Sequence, residues 1–411
     1  MADKNYRVRT LTEALLDFSK TFKVILMTGP RQVGKTTLLK NAASNKRKYV
    51  TLDNPADLLL AKSDPELFFE KYSPPVFIDE IQYAPELFKY IKILVDNSNQ
   101  RGAVWLTGSQ QYNMMQGITE SLAGRVAILN LLGFSIYERE NKGRAQSKPF
   151  LPRRKQFGQL TTRLKRKNSA ETFQIIWQGF FPEVITLNPQ KRAAFYAAYI
   201  KTYLERDVRQ LVNIGDESAF LTFLKATAAR TGQLLNLNDL AANTGISPKT
   251  AKHWLSILQT AGLVYLLKPY FKNITKRLSK TPKLYFMDTG LAAYLADWNT
   301  PEALETGAMA GAFFETFVVT EIIKSYYHTG HEPQLYYYRD AKHNEIDLLI
   351  HQDGLYYPVE IKKSTLPGTT DIKAFKIFGS LEKLGYGNLI CQTREWRPLN
   401  TSVSAIPVWN L

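Results

Sequence analysis

The 411-residue chain has a single cysteine, Cys391, so no disulfide can form within it, and its stability must come from buried apolar surface. Such usage fits a reducing compartment. No apolar run approaches the roughly 18 residues that a bilayer crossing requires. The opening residues, Met1 to Arg7, lead into no apolar stretch of the signal-peptide kind. A soluble cytoplasmic protein with no membrane partner is the expectation. Acids are also the minority, 37 against 53 Lys and Arg, for a net charge of +16. The excess is concentrated: Arg139 to Lys167 carries 11 Lys or Arg against Glu140 alone. With Pro149, Pro152, Gly143 and Gly158 in it, that segment reads as a loop or linker. It would either attract a polyanion through salt-sensitive contacts or serve as a solvated connector.

What is present begins with an apolar content of 45%, that of a globular chain long enough for two to four domains. Gly29-Pro-Arg-Gln-Val-Gly34-Lys35-Thr36 fits the phosphate-binding pattern G-x-x-x-x-G-K-[ST], and it follows the apolar run Val24 to Thr28. Strand, glycine loop and helix in that order aim backbone N–H groups and a helix N-terminus at phosphates. Lys35 would reach the β and γ phosphates, Thr36 would help hold Mg²⁺, and Thr37 continues the loop into the helix. Pro75-Val-Phe-Ile-Asp79-Glu80 is an apolar strand ending in two acids. Asp79 suits a second Mg²⁺ contact and Glu80 a general base that polarises water. A further strand, Ala103 to Thr107, ends in polar residues, so Thr107 or Ser109 can sense the γ-phosphate.

These residues resemble AAA-type ATPases of the P-loop class, in particular a prokaryotic group of AAA-family ATP-binding proteins. Gly29 to Thr36 match the family's loop, Asp79-Glu80 its Walker B pair, and Leu106 to Ser109 its sensor strand. Ser121-Leu-Ala-Gly-Arg125-Val also fits the family pattern. The resemblance implies ATP and Mg²⁺ as cofactors. It makes Arg125 either an arginine finger acting in trans, which requires a homo-oligomer, or a sensor within its own subunit; the residues themselves fit equally an exposed arginine with no catalytic part.

Downstream, Leu237 to Lys268 reads as a helix-turn-helix with a following wing. Asn238 is expected to cap a short helix over Asp239 to Asn243, Gly245 to make the turn, and Ser247 with Pro248 to start the second helix. That helix would bury Ala251, Trp254, Leu255 and Leu258 and turn Lys249, Lys252 and His253 outward. Such a face suits a DNA groove, although winged helices also serve as plain scaffolds.

The last region holds a second constellation. Gly311 to Glu321 reads as a helix carrying Glu315, and His343 to Ile350 as a strand with Glu345 and Asp347 on one face. Tyr357 to Lys363 reads as the next strand, with Glu360 and Lys362 on one face. Two carboxylates for a metal and a lysine for the attacking water are what a Mg²⁺-dependent phosphodiesterase needs. The run Glu315, Asp347, Glu360, Lys362 resembles the restriction-endonuclease-like nuclease fold. Ion pairing of Glu360 with Lys362 or Lys363 in a non-catalytic module would give the same sequence.

The expected fold class is α/β. Its parts are a P-loop AAA-type ATPase domain (1–140), a basic linker (141–170) and a helical connector (171–225). A winged helix-turn-helix (226–295) and a restriction-endonuclease-like α/β domain (296–411) follow. The expected function is ATP binding and hydrolysis that controls a DNA-facing, nuclease-like module. The alternative is a nucleotide-controlled switch for a protein partner, with the terminal domain an inactive scaffold.

Overall fold

The computed structural model describes residues 6–108, 121–154, 164–203, 217–272 and 281–411. Its amino-terminal part is built on a five-stranded parallel sheet of β1 (Val24–Thr28), β2 (Lys48–Thr51), β3 (Val76–Asp79), β4 (Val104–Thr107) and β5 (Val126–Asn130). The strand order is β2-β3-β4-β1-β5. In β1, Ile25 and Met27 join one apolar core while Val24 and Leu26 join another, because successive side chains leave opposite faces of a strand. A sheet covered on both sides gives the continuous apolar runs seen in β1, β3 and β4. Helix α1 (Leu11–Thr21) precedes the sheet, α2 (Lys35–Ala42) follows β1, and α3 (Pro55–Ser63), α4 (Pro65–Lys71) and α5 (Leu87–Asp96) flank β3. The short α6 (Ile136–Arg139) opens on a capping box between Ser135 and Glu138.

The middle of the chain is helical around a small sheet. Helix α7 (Ser169–Gln178) is capped by Asn168 with Glu171, and α8 spans Pro189–Tyr203. Helix α9 (Glu217–Ala228) leads to α10 (Leu237–Asn243) and α11 (Pro248–Thr260). Strands β6 (Gln233–Leu234), β7 (Val264–Leu267) and β8 (Lys283–Phe286) form an antiparallel sheet of order β6-β8-β7. The cap of α10 is Asn236, two residues before the expected Asn238, because it is the Asn236 side chain that accepts from the Asp239 N–H. Ser247 caps α11 as expected, accepting from the Thr250 N–H. Lys249, Lys252 and His253 are exposed, opposite buried Ala251, Trp254, Leu255 and Leu258.

The basic segment is less of a free connector than its composition suggests. Thr10 Oγ1 donates to Gly143 O at 2.9 Å, and the Phe150 N–H donates to Ser325 Oγ at 2.9 Å. Residues near 143–151 therefore pack on the body of the protein, while 155–163 lie outside the described residues.

Helices α12 (Thr289–Leu295), α13 (Pro301–Thr306) and α14 (Ala310–Tyr327) lead into a six-stranded mixed sheet. Its strands are β9 (Leu335–Arg339), β10 (Glu345–Gln352), β11 (Leu355–Ile361), β12 (Gly387–Cys391), β13 (Arg397–Pro398) and β14 (Val403–Pro407). The order is β13-β14-β12-β11-β10-β9, and α15 (Lys373–Phe378) precedes β12. Helix α14 is apolar nearly all round and is buried accordingly. One core cluster runs from Leu11 through Phe317 on α14 to Leu411, so the amino-terminal sheet and the terminal sheet share apolar packing.

Candidate functional site

The glycine loop sits at the carboxyl end of β1. Gly29 has φ of 139°, and a Cβ there would stand 1.9 Å from Leu131 O, so only glycine fits. Gly34, at φ 91°, is the residue before α2, and it lets the loop turn so that the free N–H groups of the first helical turn face the loop's interior. Lys35 is buried, and its Nζ donates to Gly29 O at 2.9 Å and Pro30 O at 2.8 Å. Thr36 Oγ1 lies 3.0 Å from both carboxylate oxygens of Asp79. Asp79 also accepts from Tyr49 OH at 3.2 Å and from Thr107 Oγ1. Burial first, and then the Asp79 charge, push the Tyr49 phenol up to about 12.

Strand β4 lies between β1 and β3, which is why the Thr107 hydroxyl at its tip can touch Asp79 and also accept the Glu80 N–H at 3.3 Å. Glu80 is held at φ 60°, a left-handed conformation that costs a non-glycine residue energy and that recurs at functional sites. Its carboxylate accepts from Gln82 Nε2. Hard oxygens of Thr36 and Asp79 converging beside a basic loop fit Mg²⁺ and nucleotide phosphate. Thr37 is the third residue of α2 and is exposed. Ser109 lies outside the described residues.

Arg125 is elsewhere. It precedes β5, and Val24 of β1 pairs with Val126 whereas Thr28, next to the loop, pairs with Asn130. Arg125 is therefore at the opposite end of the sheet from the loop, five residues before Asn130 or roughly 17 Å away along the strand. Its guanidinium clamps Asp96 with Nε–Oδ1 of 2.6 Å and Nη2–Oδ2 of 3.0 Å, and it lowers the Asp96 pKa. A sensor role for Arg125 toward its own subunit's phosphate is excluded by this placement.

Beneath the loop runs a buried polar network that sequence reasoning missed. Arg9 Nη1 donates to Val33 O within the loop at 2.6 Å, and Nη2 donates to Leu132 O at 2.7 Å. Arg9 Nε is 3.1 Å from Glu138 Oε1. The Glu138 carboxylate also accepts the N–H groups of Thr10 at 2.8 Å and Ser135 at 2.9 Å, and it faces His328 Nδ1 at 3.3 Å. Burial alone would raise the Glu138 pKa, but the Arg9 charge and its other partners hold it well below the usual carboxylate range. His328 is shifted the other way from a paired histidine: burial outweighs the pull of Glu138 and lowers its pKa. His328 Nε2 accepts the Leu132 N–H at 3.2 Å, so in the neutral ring Nδ1 carries the proton toward Glu138. Two more buried residues fasten α14 to the same stretch: Glu321 Oε2 accepts the Ile136 N–H, and Lys324 Nζ donates to Phe134 O and to Glu321. Glu321, Lys324 and His328 sit at i, i+3 and i+7 of an otherwise apolar segment, the one trace of this network in the sequence.

The other end of α14 carries Glu315. The structure brings Glu315, Asp347 and Glu360 to one place, and it adds Lys283 of β8 at their centre. Lys283 Nζ is 3.0 Å from Glu315 Oε1, 2.5 Å from Glu345 Oε1 and 3.4 Å from Asp347 Oδ1. Tyr285 OH donates to Glu315 Oε1 at 2.6 Å, and Asp347 Oδ2 accepts the Ile361 N–H at 2.9 Å. Lys362, just past the end of β11, pairs with Glu360 at 2.5 Å. Among the described residues no group of three or more His, Cys, Asp or Glu is disposed to hold a metal ion. The expected metal role of Glu315, Asp347 and Glu360 therefore does not fit this arrangement, because an ammonium already occupies the space between the carboxylates. The strand pattern Lys283-Leu-Tyr285, with two polar residues facing one way, is the one local trace of this centre in the sequence, and it does not name the acids.

Residues 21–140 match an AAA domain, 169–302 a domain of unknown function (DUF8612) and 310–411 a second one (DUF4143). Two mycobacterial proteins match almost the whole chain: Uncharacterized protein Rv2008c of Mycobacterium tuberculosis and Uncharacterized protein Mb2031c of Mycobacterium bovis. Each is 31% identical over 392 residues, covering 93% of this chain and 80% of its own. The chain belongs to the family of these two proteins, and its AAA domain makes it a P-loop AAA ATPase. Among solved structures, the Walker-type ATPase PABY2304 of Pyrococcus abyssi is similar at 14% identity, with a TM-score of 0.47, covering 72% of this chain and 96% of that one. No helix among the described residues of the ATPase is long and apolar enough to cross a membrane. The AAA match takes in both the glycine loop and Glu138, so the buried network joins that domain to α14 in the second domain of unknown function.

Proposed function

We propose that this ATPase hydrolyses ATP at the loop and passes its nucleotide state to the middle and terminal domains through Arg9, Glu138 and His328. The observation that carries the reading is the Arg9 guanidinium, which bonds the loop at Val33 O and reaches Glu138, itself facing α14. At the loop, Lys35 would leave Gly29 O and Pro30 O to meet the phosphates, and Thr36 with Asp79 would hold Mg²⁺, which supplies charge neutralisation when bound. Glu80 would orient and deprotonate the attacking water, with Thr107 fixing the backbone that presents it. The loop also touches the middle domain: Pro30 lies where a Cβ on Gly262, after α11, would approach its Cγ at 3.1 Å. A loop that shifts on binding phosphate has two routes into the rest of the chain.

The partner in this reading is DNA. Helices α10 and α11 with sheet β6-β8-β7 are read as a winged helix-turn-helix, whose exposed Lys249, Lys252 and His253 suit phosphates and base edges. Duplex binding followed by fluorescence anisotropy with and without ATP tests it. Binding at low salt that changes with ATP, and is frozen in Glu80→Gln, supports the reading; no binding in either state removes DNA from it. A second reading, a switch for a protein partner, is favoured by Lys283, whose place among the acids of the terminal domain suits an inactive nuclease-like scaffold. Capture of a protein partner only in the ATP state would support that alternative. Either reading admits a homo-oligomer in which Arg125, remote from its own loop, meets the loop of a neighbour.

A further inference from the structure

The terminal acidic centre is assembled from two parts of the chain. Glu315, Glu345, Asp347 and Glu360 come from α14, β10 and β11, while Lys283 comes from β8 of the small middle sheet. Lys283 is almost completely buried, and its Nζ touches three of the four carboxylates. Glu360 adds an orphan: its Oε2 is buried with no hydrogen-bond partner among the described residues, although Oε1 pairs with Lys362. Asp347 and Glu360 are brought side by side by the antiparallel register, in which Leu348 lies opposite Val359.

Carboxylates packed this closely need a cation, since like charges in a poorly solvated site repel strongly. An oxygen-rich set of this kind suits a hard divalent ion, which would need the same oxygens at about 2.0–2.6 Å. A compact ammonium within 3.4 Å of three of them leaves no room for such an ion. We propose that the Lys283 ammonium is the resident cation of this centre, closing it to divalent metal while β8 stays docked and opening it when Lys283 is withdrawn. Occupation by lysine and by metal are mutually exclusive, so docking of the middle sheet and metal binding by the terminal sheet oppose one another.

The inference extends the switch reading, and its test is separate: failure to capture a protein partner would remove the switch and leave the cation site standing. The test is Mn²⁺ binding to the nucleotide-free full chain, read by electron paramagnetic resonance, in an Asp79→Asn background that silences the site at Thr36. The parent should bind no Mn²⁺ that depends on Asp347. Lys283→Met should gain one bound Mn²⁺ that the parent lacks, and its melting temperature should rise with added Mn²⁺. Asp347→Asn should abolish the gain. Asp347-dependent Mn²⁺ binding by the parent overturns the proposal, as does a folded Lys283→Met chain that gains none. Lys283→Gln, which keeps a polar group at the position, repeats the comparison if the methionine variant does not fold, and Asp347-dependent binding by the parent overturns the proposal without either.

Discussion

His328 Nδ1 lies 3.3 Å from Glu138 Oε2, and neither side chain is reached by solvent. One belongs to the end of α14, the other to the helix after the ATPase sheet, and Arg9 ties the second to the phosphate loop. Glu138 thus stands between a charged partner and a neutral one. Removing its charge leaves the Arg9 guanidinium buried and unpaired. Glu138→Gln should therefore destabilise the protein by about 3–5 kcal/mol, measured by urea unfolding, whereas a joint Arg9→Met, Glu138→Met change should cost much less. The double variant is the informative one: if it folds and hydrolyses ATP but its DNA or partner binding no longer responds to nucleotide, the network is the coupling element.

The same pair sets an acid limit. His328 is held below its ordinary 6.5 by burial, opposed by Glu138 and reinforced by Arg9 and Lys324. As pH falls through 6.5 the unfolded chain takes up a proton that the folded chain refuses, so stability drops. Glu138 is depressed as well, and its contribution is present above its ordinary 4.5 and lost as pH falls further. Both act with the same sign. Thermal unfolding should weaken from pH 7.5 to 5.5 by at most about 1.4 kcal/mol per pH unit for the histidine. His328→Gln should flatten that slope between 6.5 and 5.5, and an unchanged slope would assign it to other groups.

Hydrolysis and binding should separate at β3. Glu80→Gln keeps the Mg²⁺ and phosphate contacts and removes the base, so ATP should still bind while turnover falls by roughly 10²–10⁴-fold. Lys35→Ala and Asp79→Asn should instead lose nucleotide binding, read by a fluorescent ATP analogue. Equal loss of binding in all three would mean that Glu80 holds the loop and does not act on water.

The loop, Asp79 and Glu80 were legible because each is a local pattern: a strand, then a turn whose residues are dictated by phosphate and metal. Helix α11 was legible for the same reason, its Ser247-Pro248 start and apolar face being written within a dozen residues. Arg9, Glu138, His328 and Lys283 were not, since each has its ion-pair partner more than 30 residues away and looks alone like an ordinary surface charge. Arg125 shows the converse. Its local pattern suggested a phosphate contact, but strand direction, which no local pattern carries, puts it at the far end of the sheet.

That placement gives Arg125 a test of its own. Arg125→Ala removes the Asp96 clamp and nothing near the loop of its own subunit. ATP affinity of the dilute protein should be unchanged. If turnover per chain rises with protein concentration in the parent and stays flat in the variant, Arg125 works on a neighbour; if both stay flat, the clamp is its only role.

The DNA reading rests on three exposed residues and should fail cleanly if wrong. Lys249 and Lys252 lie one turn apart on α11, opposite the buried Trp254, so both can reach one phosphate backbone. Each phosphate contact releases condensed counterion, and the slope of log affinity against log salt should fall by about 0.9 for each lysine lost. Lys249→Gln and Lys252→Gln should each lower that slope and weaken binding to all sequences alike. His253→Ala, set to meet base edges, should leave the slope and change the ranking among sequences. Binding that keeps its salt slope in the double lysine variant would move the DNA surface away from α11, with the basic residues Arg153 and Arg154 as the next to test.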